Sequence, residues 1–72
     1  MICPYCKQNR DEGQMPLEIT MMIAENMVDA VCDQCVERSP VLRAGVEKNP
    51  IQDRLWYNGH EYLRYGTFFA EI

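Results

Sequence analysis

The four cysteines of this 72-residue chain constrain its fold more than any other feature. They form two Cys-x-x-Cys pairs, Cys3 with Cys6 and Cys32 with Cys35, with residues 7–31 between the pairs. Two intervening residues let both sulfurs of a tight turn point the same way, and two such turns complete the tetrahedron that Zn²⁺ accepts. The spacing therefore predicts one structural zinc ion held by all four thiolates. Iron uses the same ligand set, so the sequence leaves the identity of the metal open.

The length of the chain explains why a metal is needed. A domain of 72 residues buries only roughly 60% of the surface that its unfolded chain exposes, so its core is marginal and usually needs a metal, disulfides or oligomerisation. No repeat or linker divides the sequence, and we interpret residues 1–72 as a single zinc-binding domain. Because four protein ligands leave no coordination position for a substrate, we expect the zinc to be structural and the protein not to be an enzyme.

The compartment decides between zinc and disulfides. The sequence Met1-Ile2-Cys3-Pro4 has neither the basic region nor the apolar run of a secretory signal. No segment approaches the ~20 consecutive apolar residues of a membrane span. We therefore expect a cytoplasmic protein that does not enter a membrane. Its thiols would be reduced, which favours zinc binding by the cysteines over disulfide formation.

The charge of the chain favours a protein as its partner. Seven Lys and Arg stand against eleven Asp and Glu, which gives a formal net charge of −4. Nucleic-acid binders normally present a basic surface that displaces counterions from phosphates. Nucleic-acid binding is thus the less favoured alternative, and its candidate residues are Lys7, Arg10, Arg38, Arg43 and Lys48.

The segment between the cysteine pairs fits two kinds of secondary structure. Its apolar residues alternate as in a half-buried strand, which predicts a hairpin of Leu17 to Ala24 with Met27 to Val31 around Glu25-Asn26. We favour this hairpin because a second zinc knuckle commonly follows a strand. A helix is the alternative, since Pro16 suits a first turn and several apolar residues also recur at helical spacing. Those residues are Met22, Ile23, Met27, Ala30 and Val31.

A helix is predicted after the second cysteine pair. Ser39 can cap its free N–H groups, Pro40 suits its first turn, and Asn49-Pro50 would end it. The alternative is one helix from about Asp33 that is kinked at Pro40. In either case the predicted buried stripe consists of Val41, Leu42 and Val46.

The dipeptide Asn58-Gly59 is the clearest local signal in the sequence. Both residues tolerate the positive φ angles of a type I′ turn, which predicts a two-residue hairpin. With that register one face carries Leu55, Tyr57, His60 and Tyr62, and the other carries Trp56, Glu61, Leu63 and Tyr65. Residues 67–72 are expected to add a third strand.

The hairpin also supplies the candidate partner surface, because neither of its faces is plainly polar. We predict partner contacts for Trp56, Tyr57, His60 and Tyr62. His60 is interpreted as a surface residue and not as a metal ligand, and no residue is assigned a catalytic role. A second hydrophobic group is interpreted mainly as core, with an adaptable docking face as the alternative. It consists of Met15, Met21, Met22 and Met27.

The tetrapeptide Cys3-Pro4-Tyr5-Cys6 is identical to the active-site motif of glutaredoxins. In that fold a strand runs into the motif and a helix starts at it, which lowers the pKa of the first thiol. Only Met1 and Ile2 precede Cys3 here, and the second cysteine pair gives the thiols another use. Thiol–disulfide exchange is therefore a remote alternative.

From residue 3 to about residue 42 the sequence resembles the N-terminal zinc-binding domain of the ClpX unfoldase. The segments that carry the resemblance are Cys3-Pro4-Tyr5-Cys6, Met22-Ile23-Ala24-Glu25-Asn26, Val28 and Cys32-Asp33-Gln34-Cys35-Val36-Glu37. The resemblance implies a treble-clef fold with four Cys ligands. That family's domain dimerises and docks adaptors or substrates, so a homodimer is an expectation implied by the resemblance alone. The segment from Asp53 onward has no counterpart in that family.

These observations together predict a small α+β zinc-dependent domain. A treble-clef-like knuckle, hairpin and helix would be followed by a C-terminal β-hairpin or three-stranded meander. The expected role is protein–protein interaction, as an adaptor or as an inhibitor of a larger protein machine.

Overall fold

The computed structural model describes residues 1–49 and 53–71, in which three short helices accompany one five-stranded antiparallel sheet. The strand order is β1-β5-β4-β3-β2, so the N-terminal strand lies beside the C-terminal one. The α+β class is therefore confirmed. In chain order the elements are α1 (Leu17–Ala24), β1 (Ala30–Cys32), α2 (Asp33–Arg38), α3 (Pro40–Ala44), β2 (Val46–Glu47), β3 (Arg54–Tyr57), β4 (His60–Tyr65) and β5 (Phe68–Glu71).

The predicted hairpin is confirmed as β3 and β4. Asn58 and Gly59 adopt φ angles of 53° and 81°, as a type I′ turn requires. The pairs Tyr57↔His60 and Leu55↔Tyr62 give the register expected from the turn.

The predicted third strand is also present. It is β5, which pairs with β4 to complete the meander, and Ile72 at its predicted end lies outside the described residues. Strands β1 and β2 then extend the meander to five strands. Because β1 pairs with β5 in the register Cys32↔Phe68, this sheet edge fixes where the second cysteine pair begins.

The predicted hairpin between the cysteine pairs is wrong, because Leu17–Ala24 forms helix α1. Pro16 precedes the helix with a ψ of 144°, and the chain turns helical directly after it. Ile19 and Ile23 lie one turn apart and pack against the core. Of the partner strand predicted over Met27 to Val31, only Ala30 and Val31 lie in a strand, and this strand, β1, pairs with β5. The helical alternative is therefore correct for Leu17–Ala24 only, since Met27 follows the helix and Ala30 and Val31 lie in β1.

The helix after the second cysteine pair begins as predicted but ends early. Ser39 accepts a hydrogen bond from the Leu42 N–H through its Oγ (3.3 Å), and Pro40 occupies the first turn. Ser39 itself is extended (φ −95°, ψ 118°), as a residue before proline prefers, so α2 and α3 are two helices and not one kinked helix.

The chain leaves α3 at Ala44, and not at Asn49-Pro50 as predicted. The Gly45 carbonyl accepts a hydrogen bond from the Trp56 N–H (2.8 Å), and β2 then pairs with β3. Of the predicted stripe only Leu42 is a buried helical residue. Val41 is 67% exposed, and Val46 lies in β2.

Two hydrophobic clusters lie on the two faces of the sheet, because neighbouring strand residues such as Phe68 and Phe69 point to opposite sides. Helix α1 and the first cysteine turn cover one face, whereas α2 and α3 cover the other. The buried members of the first cluster are Cys3, Ile23, Ala30, Cys32, Phe68 and Ala70. Those of the second are Val31, Val36, Leu42, Leu55, Tyr62 and Phe69.

No helix within residues 1–49 and 53–71 has the length and apolar character needed to cross a bilayer.

The loop before α1 packs tightly against the β4–β5 turn. The Thr67 hydroxyl donates a hydrogen bond to the Asp11 carbonyl. Gly66 has a φ of 61°, and a Cβ at this position would collide with the Glu12 carbonyl oxygen and lie 2.9 Å from the Gln14 nitrogen. Only glycine tolerates both the positive φ angle and the close approach of these backbone atoms at Gly66.

We expect Gly66→Ala to lower the free energy of unfolding by at least about 3 kcal/mol, because it adds a backbone collision to the strain of a positive φ. Gly59→Ala is the matched control. The φ of Gly59 is also positive, at 81°, but apart from its two chain neighbours no described residue has an atom within 4 Å of the added Cβ. Gly59→Ala should therefore lower the free energy of unfolding by only about 1 to 2 kcal/mol. Urea unfolding of both variants at one fixed free zinc concentration measures the difference, and equal losses would contradict the close packing at Gly66.

Candidate metal centre

The four cysteine sulfurs converge on one point. The Sγ atoms of Cys3 and Cys35 are 3.9 Å apart, those of Cys6 and Cys32 3.8 Å, and those of Cys32 and Cys35 3.4 Å. All four lie within 4.8 Å of one another. A regular tetrahedron with Zn–S bonds of ~2.3 Å has S···S edges of about 3.8 Å. The cluster can therefore hold one metal ion, and its dimensions are compatible with a single zinc.

The first two ligands come from a tight N-terminal turn. The Cys3 carbonyl accepts a hydrogen bond from the Lys7 N–H, and the Cys3 N–H donates to the Gln8 carbonyl, both at 2.9 Å. Lys7 completes the reversal with a φ of 61°. The turn is anchored by the terminal ammonium group, which lies 3.0 Å from the Arg10 carbonyl oxygen and 3.1 Å from a Glu12 carboxylate oxygen.

The other two ligands come from the junction of β1 and α2. Cys32 is the last residue of β1 and the N-cap of α2, and Cys35 lies one helical turn later. The Asp33 N–H donates to the Thr67 carbonyl (2.9 Å), which ties the start of α2 to the β4–β5 turn. The pairing of β1 with β5 thus places the second cysteine pair opposite the first.

The thiols differ in how readily they ionise. A backbone hydrogen bond from Gln8 lowers the pKa of Cys6 to about 6. Burial raises the pKa of both Cys32 and Cys35. Because the four sulfurs are close together, each thiolate makes the ionisation of the next thiol less favourable. All four can be thiolates at once only with a cation at their centre.

Arg10 supplies a positive charge beside the cluster, and the spacing of the motif alone gives no signal for this role. Its Nη2 lies 4.0 Å from Cys6 Sγ, and its Nε is buried without a hydrogen-bond partner among the described residues. Four thiolates around a divalent cation carry a net charge of −2, which a neighbouring guanidinium partly offsets. Arg10, a candidate for nucleic-acid binding from the sequence, therefore lies against the cysteine cluster.

Two of the ligands also border a groove. Cys3 and Cys32 are fully buried, whereas Cys6 and Cys35 are half-buried and lie at the wall of a groove of about 350 Å³. Sequence reasoning did not find this groove, because it forms only where α2, α3 and the first cysteine turn meet. Its lining consists of Tyr5, Cys6, Cys35, Arg38, Ser39, Leu42 and Tyr57.

The four residues predicted to contact a partner do not share one surface. Trp56 is half exposed, and its Nε1 donates to the Glu47 carboxylate (3.3 Å). Tyr57 and His60 lie on the opposite face of the sheet, where the exposed His60 has its Nδ1 2.6 Å from a Glu71 oxygen. Tyr62 is only 4% exposed, and burial raises its pKa to about 12, so little of its ring is accessible.

Comparisons of this chain with protein-family models, with curated proteins and with solved structures found no match. The resemblance to the ClpX zinc-binding domain and the treble-clef description therefore remain predictions.

We expect native mass spectrometry to find one zinc ion per chain, and a strong chelator to unfold the protein. Structural zinc in small peptides is worth roughly 10 to 16 kcal/mol, which is comparable with or larger than the whole net stability of a small domain. Circular dichroism before and after chelation measures the effect, and added zinc should restore the signal. An unchanged melting temperature after complete metal removal would show that the thiol cluster does not hold the fold.

Zinc binding should also release protons, because the thiolate and not the thiol is the ligand. The lowered pKa of Cys6 favours its thiolate, whereas burial raises the pKa of Cys32 and Cys35, so these two thiols keep their protons at pH 7 until the metal displaces them. We therefore expect at least two protons per zinc, and an affinity that falls as the pH is lowered. Calorimetry in two buffers of different ionisation enthalpy measures the number, and a binding enthalpy independent of the buffer would contradict it.

Proposed function

We propose that this chain is a structural zinc protein that acts by contact with another protein, as an adaptor or as an inhibitor of a larger protein machine. The observation that carries the proposal is the closed ligand set. Four thiols meet at tetrahedral distances, so a bound zinc ion has no position for water or substrate. The metal then stabilises surfaces, and the function lies in what those surfaces bind.

Exposed apolar side chains support a contact role. Several bulky hydrophobic side chains of the described residues are half exposed or more, and exposed apolar side chains that lie together, as Leu17 and Met21 do on α1, mark interfaces. Tyr5 and Trp56 are 51% and 50% exposed, and Tyr5 borders the groove beside the metal. The others are Ile2, Leu17, Met21, Met27 and Val41.

The two alternatives have less support. Arg10 faces the thiols, and the exposed Arg38 and Lys48 each follow an acidic residue, which does not favour a continuous basic surface for nucleic acid. Thiol–disulfide exchange would require two ligands to leave the metal. A closed zinc site protects its thiolates from oxidation.

A pull-down from the native cell with zinc-loaded protein tests the proposal, with Trp56→Ala and Tyr5→Ala as interface variants. We expect a specific protein to be captured by the wild type and lost with one of these variants, because truncating a central aromatic side chain typically costs at least 2 kcal/mol of binding energy. Val41→Ala is the matched control, since Val41 is an exposed apolar residue on α3.

The proposal is overturned if capture of no protein depends on Tyr5 or Trp56 and a gel shift instead shows tight nucleic-acid binding that weakens steeply with salt. The nucleic-acid alternative is then correct.

A further inference from the structure

The charges of this chain are strongly segregated along the sequence. Residues 11–37 contain seven of the eleven acidic residues and no Lys or Arg, so this segment has a formal charge of −7. The remaining residues carry all seven Lys and Arg and four acidic residues, a charge of +3, and the two sum to −4. The acidic residues of the segment are Asp11, Glu12, Glu18, Glu25, Asp29, Asp33 and Glu37.

Part of this negative charge is left unpaired on one helix. Glu12 pairs with the terminal ammonium group, and Asp33 pairs with Arg64. Within the described residues, Glu18 and Glu25 form no ion pair, and both are exposed. Glu25 is the C-cap of α1, and its N–H donates to the Met21 carbonyl (3.0 Å). It follows Glu18 by seven residues, about two helical turns, so the two carboxylates lie on the same side of α1.

An exposed apolar stripe runs beside these two carboxylates. Leu17 and Met21 lie one turn apart on the side of α1 away from Ile23, and they are 72% and 52% exposed. Met27 is 65% exposed, and its N–H donates to the Met22 carbonyl (2.9 Å), which keeps it at the end of the helix. We call Leu17, Glu18, Met21, Glu25 and Met27 the α1 outer face.

We propose that the α1 outer face docks a cationic amphipathic helix of another protein. The apolar stripe fits a row of aliphatic side chains at helical spacing, and the two methionines allow it to adapt to their shape. Glu18 and Glu25 complement Lys or Arg beside that row. A second copy of this chain docked through the same α1 outer face would bring like charges together, and an anionic membrane or nucleic acid would be repelled.

This inference rests on the proposed function of protein contact and names the class of partner for it. The probe is a synthetic peptide of about 15 residues, made of Leu and Lys, with Leu at helical i, i+3, i+4 and i+7 spacing. Two control peptides have the same composition in an order that breaks the stripe, or Glu in place of every Lys. Fluorescence anisotropy with zinc-loaded protein measures the affinities.

Two pairs of protein variants separate apolar docking from general charge attraction. Leu17→Ala with Met21→Ala truncates the two helical residues of the stripe while keeping good helix formers, and we expect binding to weaken about tenfold or more. Val41→Ala is its control, since Val41 is 67% exposed on a helix that covers the other face of the sheet. Glu18→Gln with Glu25→Gln should weaken binding more than Glu37→Gln with Glu47→Gln, which changes the formal charge equally.

The outcomes are distinct. Binding of the amphipathic peptide alone, with losses confined to the α1 variants, supports the inference. Equal binding of the order-broken peptide, or equal losses in both charge variants, would leave only attraction to net charge and overturn it. If the peptide does not bind while capture dependent on Tyr5 or Trp56 persists, the inference fails and the proposed function stands. If capture is also absent, both fail.

Discussion

The rest of the structure depends on four cysteine sulfurs that meet at one point, and as thiolates they would repel one another unless a cation lay between them. The two cysteine turns are far apart in sequence, and Cys3 and Cys32 belong to the same buried cluster as Phe68. A metal bound by these cysteines would therefore be held by residues that also form the core. A chain of this length has little other apolar surface with which to compensate for losing either of them.

The features that could be predicted from sequence are those fixed by adjacent residues. Asn58-Gly59 specifies its own turn, and Ser39-Pro40 specifies the start of α3, because the deciding steric and hydrogen-bonding terms lie within a few residues. Each Cys-x-x-Cys pair belongs to the same class because it spans only four residues, whereas the meeting of the two pairs depends on the pairing of β1 with β5. The end of α3 is different, because it is decided by the Trp56 N–H bonding to the Gly45 carbonyl.

Helix α1 shows why local pattern was insufficient. The spacing of its apolar residues fits both a strand and a helix. Which of the two forms depends on which segment pairs with the edge of the sheet. That position is taken by β1 on β5, a contact between residues about forty apart in sequence. The burial of Tyr62 has a similar origin. Alternation correctly placed Tyr62 with Leu55, but only the packing of Leu42 and Val36 against that face makes it the covered one.

The position of α1 links its surface to the metal. A helix of eight residues is too short to be stable alone in water, so α1 exists because Ile23 packs into the cluster that contains Cys3 and Cys32. Loss of the metal would release Cys3 from that cluster and remove the support for α1. A partner that binds the α1 outer face only in the folded protein must, by linkage, raise the apparent metal affinity. Zinc content and partner binding should therefore be coupled, although no atom of the α1 outer face is a metal ligand.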